Sequence, residues 1–347
     1  MRRAAAVLFL AALACARPGL AAGPEGVAQF GPDAATTRLL VRGTTDIANF
    51  APVLEAFAKG LPYLGIDYEQ WLSNDLSDET ARGCREESRA ADLVISSAVD
   101  QLVKLVNDGC ARPYPSTATR ALGADANWRD EIFGVTQEPA VIVYNRDLVP
   151  PDEAPRSRFA LIDLVRPAGS RYAGRVATYD IEASGLGYLF AFVDSEQATT
   201  FGSLIEAFGR SGAVATCCST EIIDGLLRGD YLIAYNVLGS YALARAATDT
   251  RLGVVYPEDY TLMLSRAAMI PAEAINPDAA GALIDFLLSG EGRAALDAQH
   301  MLTSPAEMGA AASAVRPIRL SPTLLVGLDQ ERRRQFLDLW RTTFPRR

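Results

Sequence analysis

Four short polar clusters in this chain of 347 residues have the composition that holds an anion without a metal. They are Thr44-Thr45-Asp46, Ser96-Ser97, Ser184-Gly185-Leu186-Gly187, and Asn236 with Gly239-Ser240. Each follows a short apolar run and precedes an amphipathic one, so each is expected where a strand hands over to a helix. At such a point the first backbone N–H groups lack intrahelical acceptors and carry the positive end of the helix dipole. Hydroxyls beside those N–H groups bind phosphate or carboxylate. The competing reading is that each Ser, Thr or Asn only caps its own helix, worth ~1 kcal/mol of stability. Recurrence at four junctions favours a ligand role for at least two of them. Tyr235 and Tyr260 join the candidates, with Tyr241 beside them, as aromatic walls that can offer a hydroxyl. Gly185 and Gly187 read either as a phosphate-cradling turn or as a plain tight turn. Asp46 would repel an anion, and is expected to cap its helix or to accept from a sugar hydroxyl. Glu138, just before Pro139, is expected in an ion pair between lobes rather than on the ligand.

Catalysis is not expected. Gly-x-Ser-x-Gly, the Walker Gly-Lys-Ser/Thr and His-Glu-x-x-His are absent, and His300 is the one histidine. No metal or cofactor is expected either, since no Cys-x-x-Cys or His-Cys cluster is present.

The clusters sit within a repeated order of elements. Arg38–Arg42 reads as a strand, followed by a helix with Phe50, Val53, Leu54 and Phe57 at helical spacing. Ala91–Ile95 and Val99–Val106 repeat the pair. Ala140–Tyr144 and Gly174–Tyr179 read as strands, and Ser184 opens a helix reaching Val193. Tyr231–Tyr235 is expected as a strand, with Asn236–Ser240 opening the next helix. Pro277–Leu288, Gly290–Ala298 and Leu324–Trp340 read as helices, the last carrying Arg332–Arg334 on a solvated face. Residues 23–36 read as an arm. Strands alternating with helices imply an α/β fold, with ligands beyond the carboxyl ends of the strands.

The composition sets the compartment and the size. Arg2 and Arg3 precede the apolar run Ala4–Ala16, which has the pattern of a secretory signal peptide over residues 1–22. Cleavage is expected near Ala22, with Ala16 second; the residues before Cys15 match a lipoprotein box poorly. The chain carries a formal charge of -9, and removing Arg2, Arg3 and Arg17 takes it to -12. So acidic a protein is not expected to partner nucleic acid or anionic membranes. About 325 mature residues exceed the size at which single cores stop growing, so two domains are expected. In an oxidising periplasm Cys84 and Cys110 can form a disulfide, worth ~3 kcal/mol on a chain-entropy model. Cys217 and Cys218 are either a vicinal bridge or two buried thiols, the thiols being the expectation.

Taken together, several runs resemble the periplasmic solute-binding proteins of ABC transporters, in the ferric-iron or AfuA-like type 2 group. They are Thr44-Thr-Asp46, Ala91-Asp-Leu-Val-Ile-Ser-Ser97, Phe133-Gly-Val-Thr-Gln-Glu-Pro139, Ala183-Ser-Gly-Leu-Gly-Tyr188, Tyr235-Asn-Val-Leu-Gly-Ser-Tyr241, Pro257-Glu-Asp-Tyr-Thr261 and Asp285-Phe-Leu-Leu-Ser-Gly290. The resemblance implies an α/β, two-lobed type 2 periplasmic binding protein fold with the ligand between lobes. The first lobe is expected over 37–136 and 253–347, the second over 137–252. Ferric members hold the metal through adjacent tyrosines; Tyr235 and Tyr241 are not adjacent, so iron is disfavoured. The organic-phosphate or organic-anion branch fits the residues better. The resemblance also implies a monomer that serves an ABC permease or, alternatively, a membrane sensor kinase.

Overall fold

The computed structural model describes residues 23–197 and 199–344; the expected signal peptide and Cys15 lie outside the described residues. Two seven-stranded sheets, each covered by helices, build the two-lobed α/β fold. In the first sheet the strands Leu64–Gln70 and Leu93–Ser96 flank Thr37–Gly43 in parallel. Their residues Leu39, Leu40, Val41, Leu64, Ile66, Leu93, Val94 and Ile95 are apolar and buried because helices cover both faces of the sheet. The expected arm contains a strand of its own, Gly26–Phe30, which extends the sheet edge antiparallel to Leu64–Gln70. Ala267–Met269 and Ile132–Gly134 continue the sheet on the other side.

The second sheet is organised on Glu138–Asn145, an apolar strand flanked by Ile233–Leu238 and, on its other side, by Leu252–Val255 and Thr261–Leu264. Val176–Tyr179 and Val214–Thr216 complete one end. Strand membership departs from the expected division of the chain at two places. Leu252–Val255 and Thr261–Leu264 still belong to the second sheet, so the chain returns to the first through Ser265–Arg266 and not near Gly253. Helices Pro277–Leu288 and Gly290–Ala298 pack on the first lobe's core. Val315–Pro317 then pairs with Thr261–Leu264, so the C-terminal stretch rejoins the second lobe.

The expected helix Leu324–Trp340 is also two helices. Leu325–Leu328 ends at Asp329, whose side chain accepts from Arg332 N at 3.1 Å and starts Gln330–Thr343. Asp is a strong N-cap, so a helix start at this position outcompetes continuation of the previous turn. Trp340 then buries against Ile181, Tyr188 and Phe201 of the second lobe. Arg333 lies 4.9 Å from the Tyr188 ring and Arg341 pairs with Glu182 at 2.7 Å.

One buried acid opens the helix Val99–Asn107. Asp100 is 2 % exposed, and its Oδ1 meets no hydrogen-bond donor among the described residues. Burial lifts its carboxyl from an ordinary 3.8 to about 7. The folded protein thus keeps a proton that the unfolded chain releases near pH 4. Stability is greatest below that value, falls as pH rises to about 7, and is level above. Urea unfolding at pH 5 and pH 8 is expected to differ by roughly 2–3 kcal/mol from this group alone, and Asp100→Asn should abolish the difference.

Candidate functional site

A cavity of about 400 Å³ opens between the lobes. Five helices begin on its wall: Ile47–Lys59 after Asp46, Ser73–Cys84 after Leu72, Val99–Asn107 just after Ser97, Gly185–Gln197 after Ser184, and Ser219–Arg228 after Cys218. Both lobes contribute, because each sheet ends its strands toward this gap.

Of the binding candidates singled out in the sequence, Thr44, Asp46, Ser97, Ser184 and Tyr241 line the cavity. Thr44 Oγ1 accepts from Ser97 N at 3.0 Å and lies 3.2 Å from Ser97 Oγ, so the two junctions of the first lobe form one hydroxyl pair. Asp46 does not cap its helix through its side chain. Its Oδ1 accepts from Tyr241 Oη at 2.9 Å and its Oδ2 from Thr220 Oγ1 at 2.9 Å, both of the second lobe. Ser184 Oγ accepts from Gly187 N at 3.0 Å and so caps its helix while facing the cleft.

Other candidates stand behind the wall. Thr45 is buried, its carbonyl accepting from Tyr68 and its Oγ1 from Arg266. Ser96 Oγ accepts from Ala98 N at 3.1 Å, a turn contact. The glycines serve close packing instead of a phosphate turn. A Cβ on Gly187 would come 2.4 Å from Tyr179 Cβ, one on Gly185 2.6 Å from Gln101 Nε2, and one on Gly239 2.7 Å from Pro139. Ser240 Oγ donates to Glu138.

Tyr235, Asn236 and Tyr260 are gathered elsewhere. The strand expected to end at Tyr235 runs on to Leu238, with an irregular register between Ala234 and Val237. Asn236 stands inside that bulge at φ 60° and is 4 % exposed. Its amide donates to Asp194 Oδ2 at 2.7 Å. Tyr235 and Tyr260 donate to the same carboxylate at 2.6 and 2.8 Å, and Arg158 pairs with it at 3.0 Å. A buried carboxylate needs such saturation, and it draws the side chains into the lobe and away from the cleft.

Residues that carried no local signal complete the cavity. Arg266 lies on its wall and is 1 % exposed; Nε donates to Glu138 Oε1 at 2.9 Å. Glu138 therefore does form an ion pair, between the two segments that cross from lobe to lobe. Trp71 and Tyr179 add aromatic surface, and burial pushes the Tyr179 phenol up to about 12. Burial likewise holds the Tyr241 phenol well above its usual range. Glu25, Glu221 and Asp224 join Asp46 as lining carboxylates. Asp224 is paired with Arg245 at 2.8 Å. Cys217 and Cys218 line the cavity as a vicinal disulfide, against the expectation of two thiols; nothing in their sequence neighbours separates the two states. Cys84 and Cys110 are bonded within the first lobe.

Residues 88–329 match the family described as bacterial extracellular solute-binding protein, and the chain belongs to that family. Such proteins bind solutes for ABC transporters. The chain is similar to the substrate-binding protein of an ABC transporter from Agrobacterium tumefaciens, at 32% identity and a TM-score of 0.85, over 92% of this chain and 98% of that one. Two solved structures share the fold at lower identity. AfuA from Actinobacillus pleuropneumoniae, with fructose-6-phosphate bound, is 13% identical with a TM-score of 0.70, over 88% and 98% of the two chains. Iron-bound HitA from Pseudomonas aeruginosa is 17% identical with a TM-score of 0.67, over 88% and 99%. No curated protein matches the chain.

Proposed function

We propose that the cavity captures a small organic anion, a phosphate or carboxylate carrying hydroxyls, in the periplasm for an ABC permease. The observation that carries this reading is the convergence of five helix starts on one wall. Each presents roughly half a positive charge, and Thr44, Ser97, Ser184 and Ser219 add hydroxyls among them. Arg266 supplies a guanidinium already held in place by Glu138. The lining carboxylates oppose a bare polyanion but are partly compensated, Asp46 by two hydroxyl donors and Asp224 by Arg245. They accept well from hydroxyls, which selects a sugar phosphate or hydroxy acid over inorganic phosphate.

A thermal-shift screen against sugar phosphates, hydroxy acids, inorganic phosphate, amines and Fe³⁺ tests this. A true ligand at 100 times its Kd adds about 2.7 kcal/mol of stability. Stabilisation by amines alone would overturn the anion reading and assign the carboxylates the leading role.

Iron is the weaker candidate on the same chemistry. The tyrosines on the wall are Tyr179 and Tyr241, whose phenols are held protonated by burial and engaged with Ser219 and Asp46. Reconstitution with ferric citrate is expected to leave no visible phenolate-to-iron band. A strong band lost in Tyr241→Phe would reverse this conclusion. A long free C-terminal helix would suit a membrane sensor kinase; here that stretch is broken at Asp329 and packs on the second lobe.

A further inference from the structure

Two disulfides serve this chain differently. Cys84–Cys110 spans 26 residues and restrains the unfolded chain, and Cys110 is 5 % exposed. Cys217–Cys218 joins neighbours, so it closes no loop and removes almost no chain entropy. Stability does not account for it. Its position does: both residues are partly exposed and both line the solute cavity.

The bridge also stands at the root of a cross-cleft contact. Cys218 is the N-cap of Ser219–Arg228. The next two residues hold the wall together, Ser219 Oγ lying 2.5 Å from Tyr179 Oη and Thr220 Oγ1 donating to Asp46 Oδ2 of the other lobe at 2.9 Å. Cys217 Sγ lies 3.3 Å from Glu221 Oε2, a carboxylate able to accept from a thiol there.

We infer that Cys217–Cys218 is a thiol–disulfide exchange site in the cleft wall, reduced by a protein or small-molecule dithiol, and that its reduction loosens the wall. A thiolate of the dithiol attacks Cys217 Sγ, and the Cys217–Cys218 bond breaks as a mixed disulfide forms. The Cys218 thiolate leaves toward the helix N-terminus, where the dipole stabilises it. The second thiol of the reductant then displaces Cys217, which takes up a proton and can donate to Glu221. The reductant leaves as its own disulfide; the protein has gained two electrons and one proton, and a second proton once the Cys218 thiolate is protonated. Opening the ring frees the turn before Ser219, so the Thr220–Asp46 contact is held less firmly. That this affects solute retention rests on the reading of the cavity as the solute site.

The test needs no solute. The full exported chain is treated with dithiothreitol under native conditions, alkylated, and mapped by mass spectrometry, with hydrogen exchange followed in parallel. Expected are two labels on Cys217 and Cys218, none on Cys84 or Cys110, and several-fold faster exchange in peptides covering residues 214–224 and 44–50. The variant Cys217→Ser with Cys218→Ser should exchange like the reduced protein and ignore dithiothreitol; if it does not fold, the oxidised and reduced wild type decide the matter. Absence of native labelling, equal labelling of all four cysteines, or labelling without a change in exchange would each overturn the inference. A solute screen without hits would count against the solute reading alone.

Discussion

Asp194→Ala is expected to destabilise the apo-protein by about 3–5 kcal/mol, because it leaves Arg158 as a buried cation with its main partner gone. The carboxylate accepts from Tyr235, Asn236 and Tyr260 as well, and Arg158 sits 3.4 Å from the centroid of the Tyr260 ring. Asp259, at 3.2 Å from Arg158, compensates only part of the loss because it is more exposed. Asn236→Ala is expected to cost about 2 kcal/mol, from a lost hydrogen bond to a charge and a left-handed backbone that Ala tolerates poorly. Neither change should move the Kd for the solute by more than a few-fold. Equilibrium unfolding and calorimetric titration on the same samples separate the two quantities. A hundredfold weaker Kd in Asn236→Ala would return that residue to the binding site.

The second large effect is expected at the crossing between lobes. Glu138 is fully buried, pairs with Arg266, and accepts from Thr136 and Ser240. Glu138→Ala strands the guanidinium and is expected to cost about 3–5 kcal/mol. Replacing both partners, Glu138→Leu with Arg266→Met, should recover much of that stability, since a buried pair contributes little over apolar groups of similar volume. Anion binding should still fall by roughly 10–100-fold, the loss of one charge-assisted contact of ~1.5–3 kcal/mol. A double variant that folds well and binds the screened anion as tightly as wild type would remove Arg266 from the site.

These two networks mark the division between local and tertiary information. The order of strands and helices was legible because 3.6-residue and apolar-run patterns are properties of neighbours along the chain. So were the junctions: Thr44, Asp46, Ser97 and Ser184 line the cleft because in this fold strand ends and helix starts face the gap. The same logic failed at Asn236 for a specific reason. A strand buried on both faces has no alternation to show where it stops, and Val237-Leu238 extended it past the polar residue. Asn236 thereby moved from a helix start into a bulge.

Neither Arg266 nor Arg158 could be recognised from its neighbours. Each is buried only because a carboxylate distant in sequence neutralises it, 128 residues away for Arg266 and 36 for Arg158. The cleft's acidic lining and the Cys217–Cys218 bridge are likewise consequences of packing. What the sequence by itself determined was the fold class and the positions where helices begin toward the gap, since both depend on short-range periodicity and capping. Only the tertiary structure decided which polar residues face the solute and which turn inward to satisfy a buried charge. That choice is set by the cost of leaving a charge unpaired in the interior, a cost defined only once distant segments have met.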